Sequence, residues 1–214
     1  MKIGPAIRRL MPYSLERRAA KIYRFVFVDL SKVAKHFARV LPANAKVLDI
    51  GGGDGELLNH LLTLRPDLNL TMVDIAASVG RFVEPQHLGR VSFCPKTSIQ
   101  EHLGSIAEPY DAAIISDVMH HIPGTLRLDF LASISAALRS DGMMLIKDIE
   151  PGHVISKLSL FADKYISGDR GVALVSRKEL CELASQSLPK HQVSEIDLYT
   201  ENRPNYIMGF TFDI

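Results

Sequence analysis

The sequence predicts an α/β domain built on a doubly wound, seven-stranded, mostly parallel sheet. Five parallel strands are followed by a C-terminal antiparallel hairpin, with helices on both faces. Three observations carry this expectation. Uninterrupted apolar runs recur along the chain, helical patterns separate them, and the last two strand-like runs are joined by a short turn. Strands buried on both faces read as continuous apolar runs, which is the mark of a parallel sheet covered by helices. A connection as short as the last one joins antiparallel neighbours.

Residues 46–50 read as the first strand, and 56–65 as a helix stopped by Pro66. The second, third and fourth strands fall at 70–74, 91–94 and 112–116. Leu128, Leu131, Ile134 and Leu138 mark one face of the next helix, which Ser140-Asp141-Gly142 ends before a fifth strand at 143–149. Ser176 and Glu179 have capping-box spacing, so a further helix starts there. Runs at 192–199 and 206–212, around Asn202 and Pro204, form the hairpin. Ahead of the first strand, Leu30, Val33, Phe37, Val40 and Leu41 recur at helical spacing, so residues 1–42 read as a helical N-terminal cap.

A length of 214 residues, 47% of them hydrophobic, suits a single domain spanning 1–214. The net charge of +1 gives no case for nucleic-acid binding. Cys94 and Cys181 lack metal-ligand spacing and suit a reducing compartment, so the chain is expected to be cytoplasmic, with no disulfide framework. No signal peptide follows Arg8 and Arg9, and the apolar run at 25–30 is short and contains Asp29, so no membrane span is expected. Arg8, Arg9, Arg17, Arg18, Lys21 and Arg24 form a basic face in the N-terminal segment. It reads as the solvated side of a helix capping the site rather than as a membrane-binding surface.

The stretch Val47-Leu48-Asp49-Ile50-Gly51-Gly52-Gly53-Asp54-Gly55 carries the most information. A strand runs into glycines and a helix follows, so a ligand can lie against bare backbone near the helix N-terminus. The dinucleotide pattern G-x-G-x-x-G/A fails at Glu56. The stretch resembles motif I of class I, Rossmann-like, S-adenosylmethionine-dependent methyltransferases, D/E-x-G-x-G-x-G, matched by Asp49, Gly51, Gly53 and Gly55. The resemblance implies S-adenosylmethionine as cofactor, with Asp49, Gly51, Gly52, Gly53 and Gly55 around its methionine part. Asp74, at the end of the second strand, is then the acid for the ribose hydroxyls, with Ile75 on the adenine face. Many members carry an acid after the third strand for the adenine amino group. Here that stretch reads Phe93-Cys94-Pro95-Lys96-Thr97-Ser98, so Thr97 or Ser98 is left to serve.

Ser116-Asp117-Val118-Met119-His120-His121, after the fourth strand, resembles the V-L-H-H segment of the small-molecule members. Strand C-terminal ends face the ligand crevice in an open parallel sheet, which places Asp117, His120 and His121 there. Methyl transfer is an in-line displacement in which alignment does most of the work. A histidine base helps when the acceptor is a hydroxyl or protonated amine, although the first histidine of such a pair also commonly serves packing. Asp148, Glu150 and His153, around the end of the fifth strand, are candidates for catalysis or acceptor contact. Adjacent histidines rarely converge on one ion, so no metal site is expected. Residues 151–176 read as an acceptor-side insertion in which Phe161 and Tyr165 either pack on the core or line an apolar or aromatic pocket, with Gly168–Gly171 as a hinge.

The expected function is methyl transfer to oxygen, nitrogen or carbon of a small-molecule acceptor. A non-catalytic cofactor-binding scaffold and a nicotinamide-dependent oxidoreductase are the alternatives. The chain has no Asn/Asp-Pro-Pro-Tyr/Phe motif, which with the near-neutral charge disfavours nucleic-acid and protein acceptors. A homodimer is carried as an open expectation.

Overall fold

A computed structural model of the chain describes residues 28–156, 171–188, 191–196 and 204–212. Its seven strands are β1 (Lys46–Ile50), β2 (Asn69–Asp74), β3 (Val91–Pro95), β4 (Tyr110–Ser116), β5 (Leu138–Ile149), β6 (His191–Ile196) and β7 (Asn205–Phe212). They lie in the order β3-β2-β1-β4-β5-β7-β6. The first five are mutually parallel. β7 runs antiparallel to β5 and β6 antiparallel to β7, as the short connection requires. The direction of strand order reverses at β1 and β4, and ligands of doubly wound sheets bind outside such a reversal.

Among the described residues five α-helices cover the sheet: α1 (Leu30–Val40), α2 (Glu56–Leu64), α3 (Ile99–Leu103), α4 (Arg127–Ala137) and α5 (Arg177–Ser187). Alternation along each strand sends neighbours to opposite faces. Val47, Ala112 and Ile114 accordingly pack with Val33 and Phe37 of α1 and Leu58, Leu61 and Leu62 of α2. Leu48, Ala113 and Ile115 pack with Phe130, Leu131 and Ile134 of α4 and Leu180 and Ala184 of α5 on the other side. The crossover from β2 to β3 carries only a short 3-10 helix at Pro85–Arg90.

The expected helix starts at Glu56 and after Ser176 are observed, the latter with Ser176 Oγ accepting from the Glu179 amide at 3.1 Å. Two boundaries differ. The helix expected to be ended by Ser140-Asp141-Gly142 stops earlier, at Ala137, and Leu138 opens β5 opposite Tyr110, with a register irregularity before Met143 pairs with Ala112. An Arg139–Asp111 ion pair at 2.8 Å ties this irregular stretch to β4. The buried face of α4 is Arg127, Phe130, Leu131, Ile134 and Ala137, while Leu128 is largely exposed. Among the described residues no helix is long and apolar enough to cross a membrane.

Arg65, just past α2, fixes α1. Its guanidinium donates to the carbonyls of Ala38, Leu41 and Pro42 at 2.6–2.8 Å and pairs with Asp67. These carbonyls belong to the end of α1, where a helix leaves acceptors without intrahelical partners. Replacing Arg65 by methionine is expected to cost about 2 kcal/mol in a urea titration, with amide exchange of α1 accelerating more than that of β1.

Candidate active site

The glycine loop leaves β1 at the reversal point and is tied to both neighbours. The Gly51 amide donates to Val73 O at 2.8 Å, Gly53 to the Asp74 carboxylate at 3.1 Å, and Gly80 to Gly53 O at 2.9 Å. A Cβ on Gly52 would overlap the Asp49 carboxylate, so only glycine lets the loop fold over that acid. Gly55 heads α2 at φ +85°, a left-handed conformation that side chains resist, and Val83 fills the space beside it.

Asp49 is buried, and its Oδ2 has no hydrogen-bond partner among the described residues. Burial, and then the negative charge of Asp74, push its carboxyl up to about 7. A buried oxygen of this kind calls for a donor or a cation. Asp49 lines a cavity of about 210 Å³ with the glycine loop, Leu57, Ser116, Asp117 and Leu30 of α1. An orphaned acid, bare loop backbone and Asp74 at the next strand end fit the cofactor that the sequence resemblance implies.

At the far side of the loop, Asp74 accepts from Gly53 and from the Ala76 amide at 2.8 Å, and Ile75 beside it is 80% exposed. The Thr97 amide donates to Asp74 O at 3.0 Å, and its hydroxyl to Pro95 O. Ser98 caps α3. Its Oγ accepts from the Glu101 amide at 3.2 Å and donates to the Glu101 carboxylate, which also takes the Ser98 amide. This capping box engages the Ser98 hydroxyl in helix formation, a role that the Ser98–Glu101 spacing itself signals.

Beyond β4 the chain turns through Asp117, whose φ of +59° is left-handed, into a 3-10 turn at Met119–His121. His120 and Asp148 are both buried and form a dyad. Nδ1 of His120 lies 2.6 Å from Asp148 Oδ1, and the His120 amide donates to Oδ2 at 3.2 Å. An ionised Asp148 accepts from Nδ1, which puts the ring's lone pair on Nε2. The His121 ring stacks on that of His120 with centroids 4.2 Å apart. His153 is exposed, and its Nδ1 accepts from the Ile155 amide at 3.1 Å. Phe161 and Tyr165 lie outside the described residues, as does most of the 168–171 hinge.

Two residues that build the site escaped the sequence reading. Lys147 is wholly buried, with Nζ 2.5 Å from Asp117 Oδ1, while the Asp117 amide donates to Lys147 O. A lysine directly after the apolar run Met143-Met144-Leu145-Ile146, yet still within the expected strand 143–149, was the available signal, because a charge in a buried strand needs a partner. Arg127, buried on α4, donates to Ile122 O, Ala173 O and Glu179 Oε1, and the Ala173 amide donates to His120 O. The turn bearing His120 is thereby tied to residues 171–176. Although no metal-ligand spacing is visible in sequence, the fold brings Asp117, His120 and Asp148 together, with one ligand-type atom from each within 4.8 Å of the others.

A family model described as a methyltransferase domain matches residues 20–187. The chain belongs to that family. A 2,7-dihydroxy-5-methyl-1-naphthoate 7-O-methyltransferase of Streptomyces carzinostaticus is 30% identical over 152 residues, 66% of this chain and 42% of the relative. Among solved structures, mitomycin 7-O-methyltransferase superposes with a TM-score of 0.67 at 22% identity, over 86% of this chain and 53% of that one. An O-methyltransferase from neocarzinostatin biosynthesis, in complex with S-adenosylmethionine and 2-hydroxy-5-methyl naphthoic acid, gives 0.59 at 22%, over 86% and 56%. The chain spans about half the length of these three proteins.

The raised Asp49 carboxyl makes stability depend on pH. Between the ordinary value of 3.8 and about 7 the folded chain holds a proton that the unfolded chain has lost. Stability therefore falls as pH rises through this window and levels above it. Urea titrations at steps from pH 4.5 to 7.5 should show a slope approaching 1 kcal/mol per pH unit, and D49N should remove most of it.

Proposed function

We propose that this chain transfers a methyl group from S-adenosylmethionine to a hydroxyl of a small apolar or aromatic acceptor, with His120 as general base. The observation that carries this reading is the buried His120–Asp148 dyad beside a glycine loop built over an orphaned acid. Membership of the methyltransferase-domain family supports it and speaks against the nicotinamide alternative. The naphthoate and naphthoic-acid acceptors named for two of the matched proteins support the aromatic acceptor.

S-adenosylmethionine, when bound, supplies a methyl group already activated on a sulfonium. Asp49 and the bare backbone of Gly51, Gly52 and Gly53 would hold its methionine part, and Asp74 would accept from its ribose hydroxyls. Ile75 offers the adenine an apolar face, and Thr97 or the Ser98 backbone faces its edge. Asp148 holds the His120 ring in one orientation and one tautomer, so Nε2 can accept the acceptor's proton. Proton uptake would leave the His120 ring positively charged against the buried Asp148 carboxylate that already holds it. His121 supports the His120 ring by stacking.

We assign residues 1–42 to a cap over the cofactor and 151–176, with His153, Phe161 and Tyr165, to the acceptor side. Leu30 at the cavity supports the first assignment. Cys94 and Cys181 are not joined in a disulfide, in keeping with work in the cytoplasm.

Calorimetry is expected to show micromolar binding of S-adenosylmethionine or its demethylated product, and absence of binding overturns the proposal. A cationic ligand favours ionised Asp49, so affinity should rise with pH up to about 7 and then level, while D49N binds weakly at every pH. With a naphthol-type acceptor, H120N should lower kcat by about 10²- to 10⁴-fold and leave the KM for S-adenosylmethionine near wild type.

A further inference from the structure

The sheet face that packs on α3 and α4 changes character along the strands. Leu48 of β1 and Val73 of β2 are buried there with Ile99 of α3, and Cys94 of β3 packs against them. Side chains two positions earlier on each strand lie on the same face. These are Lys46, Thr71 and Ser92, with Asn69 in register beside Lys46 and Ser92 beside Thr71. The apolar row thus turns polar toward the strand N-termini. α3 has only five residues to cover this face, and Asn69 and Ser92 are exposed.

These four polar residues line a cavity of about 310 Å³, whose wall Gly89 and Arg90 complete from the end of the 3-10 helix. It lies at the N-terminal ends of β1, β2 and β3, whereas the glycine loop and Asp74 stand at the C-terminal ends. At about 3.3 Å per residue, the length of β1 separates the two places by roughly 15 Å.

The charge of this wall is one-sided, with two cations and no carboxylate among its residues. Lys46 Nζ donates to the Glu108 carbonyl at 2.7 Å and stands 4.7 Å from the centre of the Tyr110 ring. Neither contact supplies a counter-charge. Tyr110 is buried with its hydroxyl 2.9 Å from His102 Nε2, so the ring under the lysine is itself held. Asp111, which accepts from the Lys46 amide, already has Arg139 at 2.8 Å. Arg90 is exposed and makes no ion pair among the described residues.

Two unmatched cations on one concave wall suit an anion. An arginine fork takes two oxygens of a phosphate at once, and a lysine adds a point charge. The hydroxyls of Thr71 and Ser92 and the amide of Asn69 match neutral hydroxyl groups on the same ligand. Ligand sites span about 300–1,000 Å³, so this volume calls for a small molecule.

We propose that this cavity binds a small phosphorylated polyol, a sugar phosphate in chemical class. Arg90 and Lys46 take the phosphate, and Asn69, Thr71 and Ser92 take the hydroxyls. The site is separate from the one that serves methyl transfer and stands independently of that reading.

The test is a ¹⁵N NMR titration of the full chain with glucose 6-phosphate, with glucose, inorganic phosphate and sodium chloride as parallel titrants at matched ionic strength. The ester should give saturable shifts of the Thr71, Gly89, Arg90 and Ser92 amides, and glucose and sodium chloride should not. R90M and K46M should each weaken binding about tenfold. Gly89 allows a variant that keeps both charges. A Cβ there meets nothing within 4 Å, so G89L is accommodated, and its side chain should obstruct the cavity and weaken binding as well. Shifts reproduced by sodium chloride overturn the site as an adventitious charge effect. Equal affinity for inorganic phosphate and the ester overturns the polyol assignment. An affinity unchanged in R90M and G89L overturns the proposal outright, and these two decide it if K46M proves unfolded by thermal melting.

Discussion

Ionised groups in a dry interior have to find partners, and this constraint governs how three strands of the sheet end. β5 carries Lys147 and Asp148 side by side, pointing to opposite faces of the pleat and both fully buried. The lysine reaches Asp117 and the aspartate reaches His120, so two successive residues of one strand grip the turn after β4 from two sides. The left-handed backbone at Asp117 follows from that grip, with its amide bonded to the Lys147 carbonyl as well. β1 ends differently. Asp49 lies under Gly52 with one oxygen unsatisfied, so this strand end stores an unmet demand for a donor or cation.

The loops around these strand ends are sewn to one another. The crossover after β2 lacks an α-helix, and it is held instead through Gly80 and Phe82 amides on the carbonyls of Gly53 and Asp54. Asn59 of α2 secures it from below, donating to Phe82 O at 2.7 Å and accepting from the Glu84 amide at 2.8 Å. Glycine loop, crossover and α2 therefore behave as one unit, and disturbance of any of the three reaches the cavity that Asp49 and Asp117 line.

How much of this was legible in sequence depended on how local each signal is. Asp49, the glycines and Asp74 sit within one strand-turn-helix-strand passage, where spacing along the chain is also spacing in space, and the fold places them as that spacing implies. The His120–Asp148 dyad joins residues far apart in sequence, so the sequence shows both members but not their union. Lys147 was overlooked because two charges that close an apolar run, Lys147 and Asp148, look like a strand end. The buried face of α4 was misjudged because Arg127, a nominally surface residue, occupies the first position of the stripe and displaces Leu128 outward. The start of β5 was hidden in the same way, since Ser140-Asp141-Gly142 is a turn signature that here produces a strand irregularity pinned by Arg139.

The ties at Ser156 and Ala173 carry a mechanical consequence. Ser156 Oγ holds the carbonyl of Glu150 at 2.6 Å, and the Ala173 peptide is bonded on one side to His120 and on the other to Arg127. The chain is thus clamped to the sheet just before residue 157 and just after residue 170. Loss of the Arg127 side chain would therefore be felt first at the turn that bears His120, because it releases the Ile122 and Ala173 carbonyls together while the paired charges beneath stay unchanged.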